Sequence, residues 1–183
     1  SALTANTIGV FNVAVGAQSL LSNSLGNYNT AIGTGTMYYN TTGVNNTAIG
    51  SSSLYYNTIG TDNTSVGYDA LYYNVGSYNS SLGSQSLYNN TTGTGNTAVG
   101  YWSLFYNVSG GYNTAIGDMA GYANTNGTYN VSVGNQSLQS NSTGSYNIAV
   151  GANALNTNVS GLNNVAVVHQ ASYYNSNGSG NTA

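Results

Sequence analysis

The 183-residue chain contains no lysine, arginine, glutamate, proline or cysteine. Three aspartates and one histidine supply nearly all of its side-chain ionisation, and the formal net charge is −3. A nucleic-acid partner needs Lys and Arg to displace counterions from phosphate, so that class is all but excluded. An anionic membrane surface is disfavoured for the same reason. Without cysteine there are no disulfides and no thiolate metal sites. No apolar run approaches the ~20 residues of a spanning helix, so membrane insertion is not expected. A basic-then-apolar leader is missing too. So little charge leaves little to hold copies apart. Self-association is therefore expected, which suits a fibre or matrix component better than a free enzyme.

What the chain does have is a period. Counted from its first Asn, the unit starts at Asn12, Asn29, Asn46, Asn63, Asn79, Asn96, Asn113, Asn130, Asn147, Asn164 and Asn181. Every step is 17 residues except Asn63 to Asn79, which is 16. Position 12 is again Asn, as in Asn40, Asn57 and Asn107. Position 5 is Gly until Val168, and position 15 is Gly from Gly9 to Gly178. Position 4 is always aliphatic, positions 3 and 8 are small, and position 9 is mostly Leu or Met, failing at Gly121 and Ser172. The first residue falls at position 7 and the last at position 3, which reads as an excerpt of a longer fibre.

Asn, Gly, Ser and Thr are poor helix formers, so the helix reading fails. In Thr97-Ala98-Val99, positions 2 and 4 share one face of a short strand. In Ser103-Leu104-Phe105-Tyr106, position 9 points inward and position 10 away from it. Each unit is thus expected to hold two short strands separated by Asn and Gly turns. Such a unit cannot bury an apolar face alone and must stack on its neighbours. The fold class that follows is all-β: one domain over 1–183, a parallel β-solenoid of about eleven coils.

Stacking turns each position into a column. Position 4 should become an aliphatic column with the leucines of position 9 beside it. Asn29, Asn46, Asn96 and Asn113 should form one Asn ladder, and Asn40, Asn57 and Asn107 another. A stacked amide can donate to one neighbour and accept from the other, which satisfies it without water. The 16-residue copy should carry a tightened corner near Asn74-Val75-Gly76.

Tyrosines gather at positions 10 and 11, as Tyr38-Tyr39, Tyr55-Tyr56, Tyr72-Tyr73 and Tyr106, with others at position 17. They read either as rings packed along a ladder or as a contact stripe for another chain or a surface glycan. Thr at position 2 raises ice binding. Against it, that column mixes Thr with Val, Ser and Ile and alternates with the apolar core face.

Chemistry is sparse. Asp62, Asp69, Asp118 and His169 fall at positions 17, 7, 6 and 6, and the two that share a column, Asp118 and His169, lie about three coils apart. No catalytic or metal site is expected, and no cofactor. Asn-x-Ser/Thr triplets at position 12, such as Asn107-Val108-Ser109, lie at a turn and raise glycosylation.

The motif N-[TVS]-[AS]-[IV]-G, as in Asn29-Thr30-Ala31-Ile32-Gly33 and Asn113-Thr114-Ala115-Ile116-Gly117, resembles the head repeats of trimeric autotransporter adhesins. In its period it is more similar to repeats of bacteriophage tail fibres. The resemblance covers the whole chain and implies parallel β-roll coils, often three chains per fibre, on a cell surface or virion, with a role in attachment. The leading expectation is an extracellular structural or adhesive fibre that self-associates as a homotrimer or as an end-to-end filament. A functional-amyloid-like matrix filament and a glycan- or ice-binding solenoid are the alternatives.

Overall fold

Positions 2 to 4 of the repeat supply the only regular strands: β1 Val13–Val15, β2 Thr30–Ile32, β3 Thr47–Ile49, β4 Thr64–Val66, β5 Ser80–Leu82, β6 Thr97–Val99, β7 Thr114–Ile116, β8 Val131–Val133, β9 Ile148–Val150 and β10 Val165–Val167. The computed structural model describes all 183 residues. Its strands form one ten-stranded parallel sheet in sequence order. Each residue pairs with the one 17 further on, as Val99 with Ile116, except between β4 and β5, where Thr64 pairs with Ser80. The result is a parallel β-solenoid of about nine turns. The eleventh copy adds only an isolated bridge from Val165 to Thr182. At the usual strand spacing the strands span about 45 Å.

The expected second strand is not there. Positions 6 to 11 are a curled turn, because positions 7 and 9 both take left-handed backbone, as Ser52 (φ 54°) and Leu54 (φ 52°) do. This segment still bonds coil to coil: Leu54 N donates to Ala70 O at 2.9 Å and Tyr56 N to Tyr72 O at 2.9 Å. Left-handed Leu is sterically disfavoured and persists only where the surroundings over-determine it. Here inter-coil bonds on either side of each Leu do that.

The strand faces also differ from the expected core. Position 3 points inward, and Ala31, Ala48, Ala98, Ala115, Ala149 and Ala166 are fully buried. Positions 2 and 4 point out, leaving Ile49 39 % and Ile116 41 % exposed. The aliphatic column of position 4 is therefore a surface feature. The interior is thin. Position 3 meets position 8 across it, with Ser53 Oγ donating to Ser65 Oγ at 2.7 Å. A third buried column, the leucines of position 9, completes it. Small side chains at 3 and 8 are what let the walls approach so closely. The apolar core divides into one cluster from Leu20 to Ala120 and another from Leu138 to Ala166. The break falls where Gly121 and Ser132 remove apolar bulk from positions 9 and 3.

The 16-residue copy tightens where expected. Asn74 Nδ2 reaches Gly76 O at 2.8 Å across two residues, where Asn57 Nδ2 reaches Gly60 O at 3.0 Å across three. The preceding coil loses contacts in consequence. Thr41 and Thr42 both donate to Thr58 O, whereas the Thr58 and Ile59 amides reach no carbonyl in the shortened coil.

Candidate functional site

The two Asn ladders lie inside the solenoid and meet on one line of acceptors. Asn46 Nδ2 and Asn57 Nδ2 both donate to Gly60 O, at 2.9 and 3.0 Å. Asn29 and Asn40 converge in the same way on Gly43 O, at 2.8 and 3.1 Å. Along the first ladder, Asn113 Nδ2 donates to Asn96 Oδ1 at 3.2 Å. Along the second, Asn107 Nδ2 donates to Asn90 Oδ1 at 2.6 Å. Asn29, Asn46, Asn96, Asn113, Asn40, Asn57 and Asn107 are all 0–1 % exposed. Sugar attachment at position 12 is thereby ruled out in the folded state, and the glycosylation expectation there is corrected. A turn was assumed to be exposed, but this turn folds its amide into the core.

Glycine recurs at positions 5 and 15 for different reasons. Gly100 has φ +128°, and a Cβ there would stand 2.5 Å from Gly117 O. At Gly110 the obstacle is space alone: a Cβ would lie 2.4 Å from both Asn107 Oδ1 and Gly127 O.

The tyrosines of positions 10 and 11 do gather. Tyr38, Tyr55, Tyr72, Tyr88, Phe105 and Tyr122 stack in one column with centroids 5.1 to 5.6 Å apart. Tyr39, Tyr56 and Tyr73 form a parallel column at 5.0 and 5.3 Å, set edge-on to the first. Asn89 separates Tyr106 from Tyr73, so Tyr106 packs edge-on to Phe105 and Tyr122. In such stacks each ring face is covered by the next ring. Within the stacks what reaches solvent is ring edges and hydroxyls, and ring faces without a stacked partner are left only at the column ends and at Tyr106. Burial, reinforced by the neighbouring phenols Tyr56 and Tyr55, pushes the Tyr72 phenol up to about 12. Tyr55, Tyr88 and Tyr122 are raised as well, burial again being the largest cause.

A second surface is the outward strand face. Thr30, Thr47, Thr64, Thr97 and Thr114 form one column, and Ile32, Ile49, Val66, Val99 and Ile116 the other. Neither column contains a charged residue. Alternation alone could show that 2 and 4 share a face, but not which face is buried, because Ala is as compatible with a thin core as with a surface.

Asp62, Asp69, Asp118 and His169 are not brought together, and no three His, Cys, Asp or Glu side chains cluster. A shallow cavity of about 390 Å³ is lined by Gln170, Tyr173 and Tyr174. No helix is long and apolar enough to cross a membrane. The architecture defines the class of the molecule as a parallel β-solenoid. No family model, curated protein or solved structure matches the chain.

Proposed function

We propose that the chain is a rod segment of an extracellular structural or adhesive fibre, built for length and self-association. One observation carries this reading: the coil-on-coil register runs unbroken from β1 to β10, through even the shortened copy. The energetics support it. The inner amides, with Asn158 Oδ1 the one left without a partner, are held by their neighbours above and below, so each coil is stabilised mainly by the adjacent ones. The outward face of positions 2 and 4 is the surface on which a second copy packs side by side. Leu82 is 52 % and Val167 47 % exposed there, and the lack of charge leaves no repulsion between copies. The resemblance to trimeric adhesin heads and phage tail fibres supports an assembly of three chains at a cell or virion surface.

Sedimentation and light scattering test this, with electron microscopy for shape. Elongated multichain particles are expected. Ile49→Lys with Ile116→Lys should return them to monomers that keep the circular dichroism of the wild type. A wild-type protein that stays monomeric at all concentrations would overturn the reading. End-to-end filaments indifferent to the Lys pair would shift it to the amyloid-like alternative. The outward Thr column also supports ice binding as a second reading, since Thr30, Thr47, Thr64, Thr97 and Thr114 line one outward column. Freezing hysteresis tests that reading directly.

A further inference from the structure

The rod is nearly uniform, and its exceptional side chains are not scattered. The only Trp and one of the three Asp lie in the same column, position 7, within three successive coils. Trp102 Nε1 donates to Gln85 Oε1 at 2.6 Å, one coil away. Burial raises the carboxyl of Asp69, which is only 8 % exposed, and the neighbouring Tyr68 and Gln85 side chains partly offset that rise. Trp102, Gln85 and Asp69 thus stand one above another in a single column, with Trp102 tied to Gln85 and Tyr68 beside Asp69. Tyr101 lies flat on Trp102, with centroids 4.5 Å apart.

Ring availability separates this patch from the tyrosine columns. Position 6 holds Tyr68, then Ser84, then Tyr101. Two coils separate the tyrosines, about 10 Å at the strand spacing, so they do not stack on each other. Tyr68 has no ring partner and is 56 % exposed, and Tyr101 is covered only on the side of Trp102. The result is a saddle with two open ring faces, a small hydroxylic floor at Ser84, and a rigid rim of amide and carboxylate. Pyranose rings present the matching chemistry: a flat C–H face for the aromatic ring and hydroxyls at the edge for Gln85 and Ser84. With Asp69 and Asp118 nearby and no cation anywhere in the chain, acidic sugars are disfavoured.

We propose that Tyr68, Ser84, Gln85, Tyr101 and Trp102 form a binding site for neutral oligosaccharide laid along the rod axis. The site does not depend on how chains assemble, and its columns border the tyrosine ribbon, with Phe105 and Tyr122 5.7 and 5.8 Å from Trp102. Trp102 is its own reporter, being the single Trp. Cellohexaose, maltohexaose and mannohexaose would be titrated separately against the full chain while Trp102 emission is followed, with calorimetry in parallel. At least one should move the emission saturably. Hexagalacturonate, which carries carboxylates, should not. Tyr68→Ala with Tyr101→Ala should weaken the binding about tenfold or more, the loss expected for two ring contacts. Tyr129→Ala, at position 17, should leave it unchanged. Both variants sit at the surface and should keep the wild-type circular dichroism. Absence of any response to all three neutral sugars at millimolar concentration, or equal affinity in the double variant, would overturn the proposal.

Discussion

Asn96 Oδ1 accepts two hydrogen bonds from Asn113, one from its main-chain N–H at 3.0 Å and one from its side-chain amide at 3.2 Å. The same Asn113 amide donates its other hydrogen to Gly127 O at 2.8 Å. One carboxamide therefore locks the entry of its strand, the neighbouring coil and the turn that ends its own repeat. No other side chain of that length offers one acceptor and two donors.

Replacing Asn96 by Ala is accordingly expected to be severe. It strands the Asn113 main-chain N–H and removes bonds to Asn79 Oδ1 and Gly110 O. At about 1–3 kcal/mol per buried group left unpaired, a loss of about 3 kcal/mol or more is expected in denaturant unfolding. Asn96→Asp should rescue little, since a carboxylate cannot donate. Asn126→Ala, an exposed Asn outside the ladders, should change stability by less than about 0.5 kcal/mol.

The polarity of the strands can be read by an inward and an outward substitution two residues or fewer apart. Ala115→Val adds bulk to a fully buried position and should cost about 1–3 kcal/mol. Ile116→Thr, next to it and 41 % exposed, should cost much less and leave the fold intact. Thermal unfolding of the two variants compares them. A larger cost at Ile116 would mean that the strand is turned the other way.

Position 5 predicts opposite signs in two coils. Gly100→Ala places a Cβ against Gly117 O at positive φ and should prevent that coil from closing. Val168 already occupies this position with φ 110°. Val168→Gly should relieve the strain and stabilise by about 1 kcal/mol, seen as a raised unfolding midpoint.

Alkaline titration tests the tyrosine column. Tyr72 holds its proton to about 12, above the ordinary value of 10.0. A raised pKa favours the neutral phenol in the folded state, so the stabilisation is complete below pH 10 and is lost as pH climbs toward 12. Phenolate absorbance should show a late-titrating fraction that disappears in urea. Tyr55→Phe, which removes a neighbouring phenol, should bring Tyr72 down.

Much of the molecule was legible in the chain alone. A period of 17 with Asn, Gly and Leu in constant places specifies stacked coils, because only vertical repetition lets an amide pair with its own copy. The single-residue deletion, the Asn ladders and the clustering of Tyr38, Tyr55 and Tyr72 follow from that repetition. What required three dimensions is the rotation of each residue about the chain. Leu54 and Leu104 sit at φ 52° and 50°, a conformation that local propensity argues against, and it replaces the second strand with a curl. That curl turns Ala98 inward and Val99 outward, making a surface of the aliphatic column. Hydropathy ranks residues by their wish to be buried, but in so thin an interior the closeness of the opposite wall decides which can be. The linking of Trp102 to Gln85 was equally invisible: side chains 17 residues apart become neighbours only once the coils are stacked, and which of them bond depends on rotamers that the repeat does not specify.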